Sequence, residues 1–261
     1  MTERSAEFLS IPAIAAALGP LARRFDIDVV DECGSTNAVL LGKAEKGAPS
    51  GTVLAARRQT AGRGRMGRQW LSEPGASLTF SLLWRLPPAT MPYGLSLAVG
   101  VALAEGLEAM GVGGLALKWP NDLLLDGGKL AGVLVELVPG APDAAVIGIG
   151  LNLRLPAGMP DEVRALAAAL PAELTADELL ARLLSSLHAV LTEFAAGGFM
   201  ALRHRWLARC AHLDASVRIL SEFAPPLEGR CIGVDVDGAL MVETAVCIQR
   251  ILSGDVSLRQ P

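Results

Sequence analysis

The segment from Leu115 to Glu136 constrains the fold of this chain more than any other, because turn residues interrupt it at two defined places. Pro120 keeps the preceding tryptophan out of a helical conformation and the Asn-Asp pair after it favours a turn, so LALKW should be a strand that ends there and DLLL should begin another. The run Asp126-Gly127-Gly128 then predicts a hairpin turn into the apolar strand KLAGVLVELV. We expect Asp122 and Lys129 near opposite ends of this short hairpin.

The rest of the chain alternates strand and helix patterns before it changes character near Ala215. Ser35-Thr36-Asn37 is typical of a helix N-cap, and Gly47 of a helix end. Further strands are predicted at 25–30, 52–58, 77–85 and 144–153, and further helices at 94–110, 162–170, 176–196 and 198–209. From Ala215 onward only the short strands VRIL, GRCIGVDV, GALMVE and VCIQRIL follow. The pattern predicts an α+β fold, a mixed sheet with helices, followed by a small β barrel or sandwich.

A glycine-rich basic segment, RRQTAGRGRMGRQW at residues 57–70, holds five arginines and no carboxylate in a chain of net charge -4. Its glycines can take positive φ and bring backbone N–H groups close to a ligand, while the guanidinium groups supply fixed forks of donors. A small anion such as phosphate is the natural ligand for such a loop. Taken alone, the segment also fits a nucleic-acid patch or a solvated surface.

Length and composition favour a globular enzyme, since 261 residues with 51% hydrophobic content can bury one sizeable core and add a small second domain. The apolar stretch 95–110 carries Glu105 and Glu108 and is better interpreted as an amphipathic helix than as a membrane span. The first residues do not resemble a signal peptide, so a cytoplasmic location is expected.

The cysteines and histidines carry no metal or nucleophile pattern. Cys33, Cys210, Cys231 and Cys247 are scattered without a CxxC pair, and we interpret them as buried small apolar residues. The three histidines form no HExxH motif and there is no GxSxG elbow, so neither zinc hydrolysis nor serine acyl transfer is indicated.

Four blocks identify a known family by resemblance: STN at 35–37, QTAGRGRMGRQW at 59–70, KWPNDLLLDGGKLAGVLVE at 118–136 and GIGLNL at 148–153. In this order and at these separations they closely resemble biotin protein ligase, also called biotin–[acetyl-CoA-carboxylase] ligase, over about residues 25–260. The resemblance implies a class II synthetase-like catalytic domain at 1–213 and an SH3-like domain at 214–261. It indicates the monofunctional class, because residues 1–24 are too few for a winged helix-turn-helix.

The resemblance implies a two-step reaction. Biotin is activated by ATP, with Mg²⁺ screening the phosphates, to give biotinyl-5′-adenylate, and the biotinyl group then passes to a lysine of a biotin carboxyl carrier protein or domain. Such ligases occur as monomers or homodimers, and no nucleic-acid or membrane partner is expected.

Carried over residue by residue, the resemblance gives each matching position an expected role. The biotin site would include Ser35, Thr36, Asn37, Gln59 and Gly132. The loop over biotin and the adenylate phosphate would use Arg63, Gly64, Arg65 and Arg68, with Trp70 packed near the adenine. Lys129 would be the catalytic lysine that bridges the biotin carboxyl group and the phosphate, while Asn121 and Asn152 would line the nucleotide side. Asp122 would either take a proton from the acceptor amine or bind magnesium.

Other interpretations stay open for single residues and for the chain. Without the resemblance, Ser35 is a helix cap, Trp70 and Trp119 are core residues, Lys118 is a surface cation and Asn121 is a turn former. For the whole chain, a lipoate or octanoate ligase or transferase of the same fold is the alternative.

Overall fold

The computed structural model describes residues 9–88, 90–156, 158–171, 174–220, 225–252 and 254–258. Within these ranges, the α-helices α1 to α5 are Ile11–Leu18, Thr36–Glu45, Leu95–Glu108, Asp161–Arg164 and Ala176–Leu207. The strands β1 to β12 are Asp26–Cys33, Thr52–Gln59, Ser77–Arg85, Leu115–Lys118, Asp122–Leu125, Gly128–Val138, Ala141–Asn152, Ser216–Leu220, Leu227–Val234, Leu240–Glu243, Ile248–Ile251 and Asp255–Leu258.

The first seven strands form one mixed sheet in the order β1-β2-β3-β7-β6-β5-β4. Strands β1 and β2 pair in parallel, through the crossover helix α2, and the other neighbours are antiparallel. Helices α1, α3 and α5 bury one face of this sheet within the main core. Helix α2 packs on the other face in a small separate cluster with Leu54, Leu83 and Val146. The predicted α+β class with a mixed sheet is therefore confirmed.

Turn chemistry placed most boundaries where the sequence predicted them. Strand β3 coincides with the predicted 77–85, and β4 and β5 are joined at Pro120-Asn121. Asp126 and Gly127 both have positive φ, at 48° and 85°, which is the geometry of a tight two-residue hairpin turn. Gly47, at φ 88°, follows the end of α2 as predicted.

Helix α3 is correct in position, but its predicted amphipathic character is wrong. Eleven of its fourteen residues are buried, because the helix is sandwiched between the sheet and α5. Glu105 forms an ion pair with Arg205 near the end of α5, and Glu108, at the exposed end of α3, forms one with Arg209 just after α5. The two glutamates thus mark the side of the helix that faces these arginines, not a broad solvent-facing stripe.

The predicted helices at 176–196 and 198–209 are the two segments of α5, which meet at Gly198, where the backbone is not helical (φ 63°, ψ -167°). By length and composition α5 alone among the described helices could cross a bilayer, but half of its most apolar window is buried inside the protein, as in a core helix. The predicted helix at 162–170 is wrong beyond its first turn. Helix α4 ends at Arg164, and Ala167 instead pairs with Lys129 of β6.

The C-terminal strands form a five-stranded antiparallel sheet in the order β11-β10-β9-β8-β12. The sequence predicted four of these strands and missed β12. Buried residues of this sheet, such as Val217 and Val242, belong to the same core as α5. A division at residue 213 is still a prediction, since the apolar core is continuous across it.

The cysteines are less uniform than the sequence suggested. Cys231 is buried, Cys33 and Cys210 are half-buried, and Cys247 is exposed, so burial explains only one of the four fully. A hydrogen bond from Cys210 lowers the pKa of Cys231 to about 7. Burial, with a smaller contribution from the positive charge of Lys118, lowers the pKa of His212.

Candidate active site

The sheet face that carries α2 changes from apolar to small and polar along its length. Because side chains alternate across a strand, Val146, Gly148 and Gly150 of β7 lie on one face. Val146 packs under α2. The two glycines continue the same row without side chains, and Ser81 on β3 lies opposite Gly148. The sheet thus leaves room for a cavity beside the start of α2.

Two side chains lie directly on these glycines, where larger residues would block them. A Cβ at Gly150 would lie 2.3 Å from Cε2 of Trp70, and a Cβ at Gly148 would lie 2.2 Å from Oδ1 of Asn37. The sequence predicted close approach of a ligand at this strand. The structure shows that the approach is made by Trp70 and Asn37, which form part of the cavity wall.

A cavity of about 130 Å³ opens above this glycine row. Twelve of the predicted site residues line it, from the start of α2, the end of β2, the arginine loop and the hairpin: Ser35, Thr36, Asn37, Gln59, Arg63, Gly64, Arg65, Arg68, Trp70, Asn121, Lys129 and Gly132. Gln69, Val133, Leu134, Gly148, Ile149 and Gly150 complete the lining. Residues that are up to 115 positions apart in the chain therefore meet at one cavity.

The wall formed by α2 is held in place by a buried hydrogen-bond network. The backbone N–H and hydroxyl of Thr36 donate to Oε1 of Gln59 at 2.7 and 3.1 Å. The Ser81 hydroxyl donates to Oδ1 of Asn37 at 2.5 Å and lies 2.7 Å from the Thr36 hydroxyl. Ser35 occupies the N-cap position of α2 but makes no side-chain capping bond. The helix-cap interpretation of Ser35 therefore explains its backbone and leaves its hydroxyl to the cavity.

Residues 62–70, called the arginine loop below, fold back on themselves. Gly64 N–H donates to the carbonyl of Arg68 at 2.7 Å, and Trp70 N–H donates to that of Gly62 at 3.0 Å. Positive φ occurs at Met66 and Gly67, not at the other glycines. Gly62 instead permits close packing, because a Cβ there would lie 2.6 Å from the Trp70 carbonyl oxygen.

A second, more open cavity of about 680 Å³ lies between the arginine loop and β6, next to the first. Arg63, Arg65 and Arg68 line both cavities. Such a cluster of fixed cations around a concave site favours an anionic ligand.

Lys129 and Asp122 are in contact, although we expected them near opposite ends of the hairpin. The register of β5 and β6 shifts between Leu123 and Leu124, so that Leu124 lies opposite Lys129 while Asp122 lies opposite Gly132. This bulge places both ionic side chains on the same face. The Nζ atom of Lys129 and the Oδ1 atom of Asp122 are 2.7 Å apart, so the two side chains form an ion pair. The angle at these atoms does not meet the geometry of a hydrogen bond.

The two asparagines differ in their relation to the cavity. Asn121 lines it and donates from Nδ2 to the carbonyl of Val133 at 2.7 Å. Asn152 is buried and is not among the lining residues. Its Nδ2 donates to the carbonyls of Lys129 and Ala168 at 3.2 and 3.0 Å. Asn152 thus supports the backbone that carries Lys129, and its expected place on the nucleotide side stays a prediction.

Sequence reasoning missed Ser81, Leu134 and Glu136. Glu136 binds both Asn37 and Arg63, and Leu134 lines both cavities. A period-two count from Gly132 along β6 would have placed Leu134 and Glu136 on the same face, but the predicted turn and strand did not by themselves show which face meets α2.

Family models match both parts of the chain. Residues 31–152 match the biotin/lipoate A/B protein ligase family, and residues 212–259 match the biotin protein ligase C-terminal domain. The mixed sheet, the cation-lined cavity and the small β domain together therefore place the chain among the biotin and lipoate protein ligases.

Individual relatives show which of these ligases the chain resembles. The chain is 35% identical to a biotin–[acetyl-CoA-carboxylase] ligase of Mycobacterium tuberculosis, over 88% of each sequence. It is 37% identical to the bifunctional ligase/repressor BirA of Salmonella typhimurium, over 90% of this chain and 74% of that protein. The biotin protein ligase of Aquifex aeolicus in complex with biotin and ATP superposes with a TM-score of 0.75 at 32% identity, over 90% and 99% of the two chains. The chain belongs to the biotin protein ligase family.

Proposed function

We propose that this chain is an ATP-dependent ligase that converts biotin to biotinyl-5′-adenylate and transfers the biotinyl group to a lysine of a biotin carboxyl carrier domain. The observation that carries the proposal is the composition of one cavity. A neutral hydrogen-bonding wall from α2 and β2 faces a set of cations from the arginine loop and β6, above a floor of glycines. Biotin has the matching design, a neutral ureido head group and a carboxylate at the other end of its chain.

The neutral wall fits the head group because Ser35, Thr36 and Gln59 supply hydroxyl and amide groups with both donor and acceptor capacity. Trp70 supports this interpretation. Its Nε1 is buried without a hydrogen-bond partner among the described residues, which is uncommon in a folded protein. A bound molecule that accepts this hydrogen bond would remove the cost of leaving the donor unpaired.

The cations fit the chemistry of the first step. A carboxylate oxygen of biotin attacks the α-phosphorus of ATP, and pyrophosphate leaves with the electron pair of the broken P–O bond. Nucleophile and phosphate are both anionic, so their repulsion opposes the approach. Lys129 and the arginines lower this barrier by placing positive charge where negative charge accumulates in the transition state.

The second step needs a proton acceptor. The acceptor lysine attacks the carbonyl carbon of the adenylate, AMP leaves, and the attacking nitrogen loses a proton. Asp122 would receive that proton by position: its carboxylate is not among the lining residues, but it is in contact with Lys129, which lines the cavity. Before substrates bind, the same contact holds the lysine side chain toward Gly132, where an added Cβ would lie 3.4 Å from the lysine Nζ.

Mg²⁺ would enter with ATP as the counterion of its phosphates. The part of the chain described by the structure holds no group of three or more His, Cys, Asp or Glu residues arranged to bind a metal. The residues present therefore fit an ion held mostly by phosphate oxygens and water, as is usual for Mg²⁺ in nucleotide sites. Its contribution would be to screen phosphate charge.

The direct test is incorporation of labelled biotin into a purified carrier domain in the presence of ATP, with lipoate and octanoate in parallel reactions. We expect incorporation of biotin only, with one pyrophosphate released for each biotin activated. Incorporation of lipoate or octanoate in preference to biotin would instead establish the alternative chemistry, for which the relatives named above give no support.

Replacing Arg65 by alanine should weaken retention of the adenylate more than its formation. Arg65 lines both cavities, and a charge-assisted hydrogen bond to phosphate is worth about 1.5–3 kcal/mol, so we expect the adenylate to dissociate roughly 10- to 100-fold faster. Release can be followed by trapping free adenylate after a single turnover. Arg58→Ala is the matched control, because Arg58 pairs with Glu32 on the surface. Equal release rates in wild type and Arg65→Ala would contradict this role.

A further inference from the structure

Glu136 is the only carboxylate among the residues that line the two cavities in the described part of the chain. Glu136 lines the second cavity with Arg63, Arg65 and Arg68, which also line the first cavity together with Lys129. A carboxylate beside a site for anions repels the ligand and so weakens binding. We therefore expect a contact of Glu136 that offsets this cost.

The contacts of Glu136 show what this side chain joins. Its Oε2 accepts a hydrogen bond from Nδ2 of Asn37 at 2.8 Å and another from the guanidinium of Arg63 at 2.9 Å. Asn37 is 3% exposed and is bonded on its other side to Ser81 of β3. One carboxylate oxygen therefore links a buried, rigid part of the sheet to the first arginine of the arginine loop.

This arrangement differs from an ordinary surface ion pair. Exposed pairs contribute little because two mobile side chains must be ordered to form them. Here the Glu136 side chain is only 26% exposed, and Asn37 already orders it. Of the two side chains that Glu136 binds, only Arg63 is substantially exposed, at 43%. The same Asn37 also donates to the carbonyl of Leu134 at 3.2 Å, which anchors it to β6.

We propose that Glu136 is a positioning residue that fixes Arg63, and with it the start of the arginine loop, over the cavity before the anionic ligand binds. The inference rests on the proposed function and adds a residue to it. The loop contains several glycines and loses conformational entropy when it closes on a ligand. An ion pair to a rigid anchor removes part of that loss in advance, so biotin and its adenylate are held more tightly.

The expected signature is a change in ligand affinity without a change in the transfer chemistry. Glu136→Gln keeps the size of the side chain and an oxygen that can accept from Asn37, but it removes the ion pair with Arg63. We expect the KM for biotin and the rate of adenylate release to rise about 10-fold. The rate constant for transfer from bound adenylate to the carrier domain should stay within about twofold, because the contacts of Glu136 do not include Lys129 or Asp122.

A double-mutant cycle with Arg63→Gln separates positioning from a general loss of structure. If Glu136 acts through Arg63, Glu136→Gln should have no further effect on the biotin KM in the Arg63→Gln background. Glu32→Gln is the matched control, since it breaks an exposed ion pair with Arg58 elsewhere on the protein. Thermal unfolding of each variant shows whether the fold is intact.

The outcomes distinguish the inference from the function on which it rests. Wild-type protein that incorporates no biotin would overturn the proposed function. Active wild type with an unchanged biotin KM in Glu136→Gln would overturn the inference alone. Additive effects of the two substitutions on KM would also overturn it, because they would show that Glu136 acts independently of Arg63.

Discussion

Replacing Lys129 by alanine should lower the rate of adenylate formation by about 10²–10³-fold, the usual cost of removing one preorganised charge donor from a transition state. The reason is geometric as well as electrostatic. The register shift in the hairpin directs the Lys129 side chain into the cavity. A hydrogen bond from its backbone N–H to the carbonyl of Leu166, at 2.7 Å, holds the backbone from which this side chain extends. The measurement is pyrophosphate release in a single turnover with saturating biotin and ATP.

The control for this substitution is Lys43→Ala. Lys43 is a partly exposed lysine on α2 that pairs with Asp28 at 3.1 Å, away from the cavity. Both variants should unfold at nearly the wild-type temperature, since the Lys129 side chain is 38% exposed and adds little packing. Wild-type turnover by Lys129→Ala would remove the lysine from the mechanism.

Replacing Trp206 by alanine should lower the free energy of unfolding by about 3–5 kcal/mol, the range found when a large aromatic side chain is removed from a core. Trp206 is 1% exposed near the end of α5. It lines a small internal void together with Trp119 after β4 and Leu240 of the C-terminal sheet, and all three belong to one apolar core. Since this core includes both parts of the chain, the loss of Trp206 should destabilise them together.

Urea unfolding of Trp206→Ala, followed by circular dichroism, checks this expectation, with Met200→Ala as control because Met200 lies on the same helix but is 65% exposed. A single transition shifted to lower urea would support one cooperative unit. Two transitions, with only the C-terminal part destabilised, would contradict it and would favour independent domains divided near residue 213.

Much of the architecture could be predicted because local rules govern it. The hairpin between β5 and β6 follows from an Asp-Gly turn, β3 from its alternating apolar residues, and the end of α2 from a glycine that takes positive φ. These features depend on backbone preferences of a few neighbouring residues, so one sequence suffices to see them.

Errors arose where a segment's environment decided its structure. Helix α3 has glutamates at positions that suggested a solvent-exposed stripe, yet arginines of the later α5 region cover them. Residues 165–170 have high helix propensity, but Ala167 and Ala168 pair with Lys129 instead. In each case an interaction with a strand or helix distant in the chain was stronger than the local preference of the segment, and it decided the structure.

The sequence indicated which residues belong to the candidate site, but it did not indicate the hydrogen bonds and ion pairs that connect them. The motifs named twelve residues that line one cavity. They did not indicate that Asn152 supports the Lys129 backbone or that Glu136 links Asn37 to Arg63. Such contacts join segments that lie far apart in the chain and depend on which strands are neighbours.

By itself, the sequence determined the positions of most strands and helices, the basic glycine-rich loop, and the residue types available for binding an acyl group and a phosphate. Only the tertiary structure decided that Lys129 meets Asp122, since a single bulge sets the face to which each side chain points. It also decided that the glycines of β7 accommodate Trp70 and Asn37. The physical reason is range: turns and periodicity act between neighbours in the chain, but strand register and side-chain packing act between segments that meet only when the sheet has formed.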